Sequence, residues 1–201
     1  MDEMYFYEYD RDNYYCYPNS NTLKNKLNIL DADELRHVER EITALRTAQI
    51  MVEGIDGKFD YEHLKAIHHF LFQDIYEWAG KVRNVNISKG NQFCLFQYID
   101  EQMIQIFLTL KQENYLTDCK SIDEIGKRLA YYLSEMNAIH PFREGNGRAQ
   151  RMFLEKLAAF NGYRLDFMKI SSKEMLDASV KAFHLDYSLM EDLIIRALSK
   201  K

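Results

Sequence analysis

Cysteine is scarce in this sequence. Cys16, Cys94 and Cys119 are odd in number and far apart, which suits neither a disulfide framework nor a zinc site and points to a reducing compartment. No run of eighteen apolar residues occurs, so no membrane-spanning helix is expected. The first twenty residues are acidic and aromatic where a secretory leader would be basic and then apolar. Positive charge is in deficit: 26 Lys and Arg against 31 Asp and Glu give a formal net charge of −5. That balance argues against non-specific nucleic-acid binding. Internal repeats and low-complexity linkers are also lacking. What remains is 47% hydrophobic and 28% charged over 201 residues, ordinary for a globular protein with one main domain and a core of its own.

The information is concentrated in His140-Pro141-Phe142-Arg143-Glu144-Gly145-Asn146-Gly147-Arg148-Ala149-Gln150-Arg151. Ile125, Leu129, Tyr132, Leu133 and Met136 recur at helical spacing before it, and Met152, Phe153, Leu157 and Phe160 after it. Pro141 cannot continue the first helix, and Gly145 and Gly147 permit backbone geometry that a Cβ resists. The stretch therefore reads as helix, tight loop, helix, with the second helix starting near Gly147. A helix start offers unpaired N–H groups and a positive dipole end to an anion, and glycines around Asn146 allow a backbone nest. Arg148 and Arg151 share one face of the first turn, where forked donors can reach phosphate oxygens. Glu144 suits a Mg²⁺ ion, which takes one or two carboxylates plus phosphate oxygens. Phe142 points inward as packing. His140 has the side chain suited to accepting a proton near neutral pH. Together these are the parts of a nucleotidyl-transfer site.

The rest of the chain reads as mostly helical. Leu35, Val38, Ile42 and Leu45 form the seam of a helix over 33–53 that Gly54 stops. Asp60 caps a helix carrying Leu64, Ile67, Leu71 and Ile75. His68 and His69 on it lack metal-site spacing and read as ordinary core or surface histidines. Over 81–96 the period changes to alternation around Gly90-Asn91, predicting a short hairpin whose edge could pair with an extended peptide. Helices follow over 100–116 and 121–139, the second delivering His140. Two readings of Asn137 stand open: a helix C-cap, or a group facing the ligand. Gly162 ends the helix after the loop, residues 163–170 read as an irregular connection, and closing helices cover 172–182 and 188–197. Trp78 reads as core or as an anchor for the hairpin. Residues 1–16, with Tyr5, Phe6, Tyr7, Tyr9, Tyr14 and Tyr15, read as an aromatic arm packed on a domain over 17–201.

Residues His140 to Arg151 match, position for position, the Fic signature H-P-F-x-[D/E]-G-N-G-R-x-x-R. The sequence thus resembles the Fic family over roughly residues 17–198, with Asp74 to Arg83 and Ile87 to Asn91 similar to the segment leading into that family's flap. The resemblance implies an all-α, compact helical Fic-type domain with a short β-hairpin flap beside the active-site loop. It implies transfer of AMP from ATP, with Mg²⁺, to a Ser, Thr or Tyr hydroxyl of a target protein, releasing pyrophosphate. In that scheme His140 deprotonates the hydroxyl and Glu144 holds Mg²⁺. The Gly145, Asn146 and Gly147 amides and the Asn146 side chain stabilise developing charge. Arg148 holds the β-phosphate and Arg151 the γ-phosphate. Lys89 borders the nucleotide and Lys89–Gln92 docks the target. Transfer of phosphate, another nucleotide or phosphocholine, and a catalytically silent partner-binding module, are the alternatives.

Members of the family are often restrained by a helix of pattern [S/T]-x-x-x-E-[G/N], whose glutamate pairs with the second signature arginine, here Arg151. Thr109 to Asn114, containing Glu113, fits that pattern but lies mid-domain, and is read as coincidence. A small antitoxin, or a segment outside this chain, is expected to supply the helix. The implied setting is the bacterial cytoplasm, as a toxin, or a host cell after secretion, as an effector.

Overall fold

The computed structural model describes residues 14–201. The portion of the aromatic arm carrying Tyr5, Phe6, Tyr7 and Tyr9 lies outside them. Seven helices of more than one turn dominate the described residues, and four of them start at a side-chain cap. Asp31 opens α1 (Ala32–Glu53) by accepting the N–H groups of Asp33 and Glu34. Asp60 does the same for α2 (Tyr61–Phe72) through His63 N–H, and Ser121 for α4 (Ile122–Ile139) through Glu124 N–H. Ser171 and Glu174 form a reciprocal capping box on α6 (Ser172–Phe183). Such caps satisfy N–H groups that the helix itself leaves open. Gly54, at φ +78°, closes α1 as expected.

The site is built on the axis of α4 and α5 (Asn146–Phe160), with α2 packed beneath the loop that joins them. The buried face of α4 carries Ile125, Leu129, Tyr132, Leu133 and Met136, and that of α5 carries Met152, Phe153, Leu154 and Leu157. Each such side chain contributes on the order of 2 kcal/mol of burial. Gly126 lets α7 (Ser188–Ala197) lie against α4, because a Cβ there would sit 2.4 Å from Ile195 Cγ1. The helix α3 (Ile99–Gln112) packs on α2 and α4.

Two expectations are corrected, and the expected short hairpin is present with strands shorter than its alternation spans. The inward face of α1 runs through Leu35, Glu39, Thr43 and Ile50, while Leu45 is 73% exposed. Polar side chains occupy the buried row, which a purely apolar pattern misplaces. The hairpin shrinks to the two-residue strands β1 (Ser88–Lys89) and β2 (Asn91–Gln92), with Ser88 opposite Gln92 and Gly90 at φ +75° between them. The connection after α5 is not irregular throughout. Its start is β3 (Tyr163–Leu165), paired antiparallel with β4 (Leu198–Lys200) at the chain's far end. At the other end Tyr15 is buried, its ring edge-on to Trp78 at 5.6 Å and under the Arg143 guanidinium at 5.9 Å.

Candidate active site

The last turn of α4 ends on His140, which takes left-handed angles (φ 54°, ψ 65°) while its N–H still bonds Met136 O at 3.0 Å. That conformation costs a residue with a Cβ roughly 1–2 kcal/mol. Arg83, 1% exposed, holds it in place: Nε donates to His140 O at 2.8 Å and Nη2 to Ile139 O at 3.1 Å. The same guanidinium donates to Val85 O at 2.6 Å and Cys94 O at 2.5 Å, so one side chain ties both ends of the hairpin segment to the loop. Cys94 N–H adds a bond to Ala138 O at 3.2 Å. Sequence reasoning noted Arg83 only as part of a segment, since nothing local announces a guanidinium that collects carbonyls.

The His140 ring stacks on Phe93 with centroids 3.9 Å apart and planes 16° apart. Its Nδ1 lies 3.2 Å from Asn137 O. A carbonyl only accepts, so Nδ1 carries the proton and Nε2 the lone pair. Burial above all pushes the imidazole pKa down to about 3, with the Arg83 and Lys89 cations adding to it and the Asn137 bond opposing. The ring is therefore neutral at physiological pH, in the tautomer a proton acceptor needs. The C-cap of α4 is His140 and not Asn137, whose backbone carbonyl orients the imidazole. The Asn137 side chain makes no hydrogen bond among the described residues. Lys89 stands exposed on β1.

Beyond Pro141 the loop is fastened from behind. Asn146 Oδ1 accepts Phe142 N–H at 2.8 Å and its Nδ2 donates to Phe142 O at 2.7 Å. That side chain thus closes the loop from behind, using one of its two Nδ2 hydrogens. Phe142 is fully buried, as anticipated, and stacks at 3.9 Å on His68. His68 is a core residue that also fastens the loop. Its Nδ1 accepts Gly80 N–H at 2.8 Å, so Nε2–H donates to Glu144 O at 2.9 Å. Burial pushes its pKa down to about 3. Gly145, at φ +80°, has no alternative, since a Cβ would lie 2.2 Å from the Phe72 ring.

The front of the loop is open. Gly145 caps α5 without any side-chain bond, and the N–H groups of Asn146, Gly147 and Arg148 find no acceptor among the described residues. Glu144 Oε1 accepts Gly145 N–H at 2.8 Å and approaches Arg148 Nη2 at 3.4 Å. Its Oε2 accepts nothing among the described residues. The two arginines differ. Arg148 donates to Glu39 at 2.5 Å and Thr43 at 3.2 Å, and lies 4.6 Å over the Phe72 ring. Arg151 has neither hydrogen bond nor ion pair among the described residues, and Nη1 folds to 3.0 Å from where a Gly147 Cβ would sit. Burial, then Arg148, lowers its pKa, and Glu155 opposes. Glu39 and Thr43 escaped sequence reasoning. The available signal was an acid and a threonine four apart on the face of α1 that turns inward. Glu113, of the coincidental pattern, bonds Arg128 at 2.6 Å and Tyr132 at 2.9 Å, not Arg151.

Comparison with known proteins meets this geometry from outside. A probable protein adenylyltransferase of Sinorhizobium fredii is 40% identical over 172 residues, 85% of this chain and 88% of the relative. A probable protein adenylyltransferase Fic of Salmonella typhimurium is 37% identical over 191 residues, 92% of each chain. The crystal structure of BepC, a VirB-translocated effector protein of Bartonella tribocorum with bound AMPPNP, superimposes with a TM-score of 0.87 at 30% identity, over 94% of this chain and 97% of that one. The sequence model of the Fic/DOC family matches residues 58–158, the span that holds α2, the hairpin, α4 and the loop. On fold, loop and relatives alike, the chain belongs to the Fic/DOC family.

Proposed function

We propose that this protein is a protein adenylyltransferase, moving AMP from ATP to a side-chain hydroxyl of a target protein with release of pyrophosphate. The observation that carries the reading is one juxtaposition. A neutral imidazole with its lone pair on Nε2 stands at one end of a loop, and uncapped helix N–H groups with an unpartnered guanidinium stand at the other. Proton acceptor and triphosphate cradle are thereby about one loop apart, as in-line displacement at phosphorus requires.

His140 takes the proton from the attacking hydroxyl through Nε2. The Asn146, Gly147 and Arg148 N–H groups stabilise the charge growing on the phosphoryl oxygens. Arg151 binds the γ-phosphate. Arg148 has five N–H donors, of which three are used by Glu39, Thr43 and Glu144, leaving two for the β-phosphate. The loop fits a Mg²⁺ ion through the unused Oε2 of Glu144, one carboxylate beside phosphate oxygens being a usual set for that ion. Mg²⁺, when bound, neutralises charge on the triphosphate. The target segment adds to the hairpin edge at Lys89–Gln92, close enough that the Lys89 charge is felt at His140, and Lys89 contacts the nucleotide.

Among the described residues Arg151 makes no salt bridge, Glu155 acting on it only at longer range, and this supports an inhibitory glutamate supplied by another polypeptide or by a segment outside this chain. Among the described residues no helix is long and apolar enough to cross a membrane. The likeness to a translocated effector supports a host cell as the setting, with the bacterial cytoplasm as the alternative. Intact-protein mass spectrometry of a bacterial or host lysate treated with ATP tests the activity. Addition of AMP supports it, whereas addition of phosphate alone, or no ATP-dependent addition, overturns it.

A further inference from the structure

Glu39 is an acid placed where α1 buries its inward face, and it is only 7% exposed. One of its oxygens accepts Arg148 Nη2 at 2.5 Å and the other accepts the Tyr76 hydroxyl. Thr43, one turn along, receives Arg148 Nη1 at 3.2 Å and anchors itself by donating to Glu39 O at 2.7 Å. Burial pushes the Glu39 carboxyl upward and Glu144 adds to this, while Arg148 and Tyr76 hold it down. Both of its oxygens act as acceptors, as a carboxylate's do. Glu144 reaches the same Nη2 only at 3.4 Å. A single guanidinium thus lies between two carboxylates, and the nearer belongs to α1, not to the loop.

That asymmetry has an electrostatic consequence. Opposite charges at this separation attract far more strongly beside the protein interior than in bulk water. Arg148 seated fully on Glu144 would cancel the loop carboxylate's charge and compete with any cation for its oxygens. We propose that Glu39 is a positioning residue for the loop: by keeping Arg148 on the α1 side, it leaves Glu144 its charge and its second oxygen for a divalent cation. The inference rests on the nucleotidyl-transfer reading. It adds a residue outside the signature to the control of metal affinity, an effect that partners at this remove typically exert at the 10–100-fold level.

Calorimetric titration of AMPPNP into the full chain at a series of Mg²⁺ concentrations tests it. Glu39→Gln keeps the volume and an acceptor for Arg148 but removes the charge. The Mg²⁺ needed for half-maximal AMPPNP affinity should rise about tenfold, with affinity at saturating Mg²⁺ within about twofold of wild type. In a crystal of that variant Arg148 should close onto Glu144 to about 2.8 Å. Glu39→Asp, one methylene shorter, should move the Mg²⁺ requirement the same way by less. A Mg²⁺ dependence within about twofold of wild type in Glu39→Gln overturns the inference and leaves the enzymatic reading standing. Should that variant fail to fold, an unchanged Mg²⁺ dependence in folded Glu39→Asp overturns it equally. A wild-type chain that binds AMPPNP without any Mg²⁺ dependence sinks the assignment of Glu144, and the inference with it.

Discussion

Behind the loop, the backbone of Phe142, Glu144 and His140 is held by Asn146, His68 and Arg83. In front of it, the first N–H groups of α5, the Arg151 guanidinium and Glu144 Oε2 are held by nothing among the described residues. Buried polar groups in folded proteins are nearly always paired, so the two faces differ in purpose. The back is finished when the chain folds. The front is completed only by a ligand, and the comparison teaches that the groups fastening the back are structural while those left open at the front are chemical.

The largest way to break that contrast lies where the two faces meet. His140→Ala should reduce AMP transfer by about a thousandfold, the usual scale for losing a positioned base, while AMPPNP affinity changes little. Incorporation of labelled AMP and calorimetric binding, measured together, check it. Transfer at the wild-type rate would remove the base from the scheme.

Next in size is a break at the back. Asn146→Ala strands both the N–H and the carbonyl of buried Phe142, and should lower stability by about 3 kcal/mol. Urea unfolding measures this. If stability were unchanged and only nucleotide binding fell, the side chain would belong to the front after all. The matching break at the front is Arg151→Ala. It should weaken AMPPNP binding by about tenfold to a hundredfold, the worth of charge-assisted bonds to a phosphate, yet leave stability equal or higher because a half-buried cation without a hydrogen bond or salt bridge is removed. A marked fall in stability would show that Arg151 has a structural partner.

The front of the site was legible in the sequence and much of the back was not. His140, Glu144, Gly145, Arg148 and Arg151 lie within twelve residues, so helix periodicity and a proline fix their mutual placement before any tertiary structure is known. Glu39, His68 and Arg83 reach the same site from 109, 76 and 57 residues away, as Glu39 to Arg148, His68 to Glu144 and Arg83 to His140. Their roles depend on packing that no local pattern encodes. Leu45 shows the cost: the apolar seam assigned to α1 left out the polar residues that face inward, because their partner is Arg148 and not the core. The β3–β4 pairing fails for the same reason, its strands being three residues each and separated by α6 and α7. The hairpin was visible as a change of period, but its strands are shorter than the alternation suggested, since Arg83 and not a ladder of backbone bonds holds it to the body.

The smallest expected effect sharpens the comparison through pH. His68 and His140 are both kept neutral by burial, each pKa pushed down to about 3, whereas an unfolded histidine binds its proton near 6.5. The sign follows: the unfolded chain takes up these protons first, so the stability contributed is fully present above about pH 6.5 and declines as pH falls towards 3. At pH 5 each group accounts for a loss of about 2 kcal/mol relative to pH 7. His68→Gln cannot titrate and loses the fitted bonds to Gly80 and Glu144. It should be less stable than wild type at pH 7 but lose less on acidification, so that the two stability curves converge towards pH 5. Curves that stay parallel in urea unfolding at both pH values would mean that His68 is already protonated in the fold, and the Nε2–H bond assigned to Glu144 would then no longer fix its tautomer.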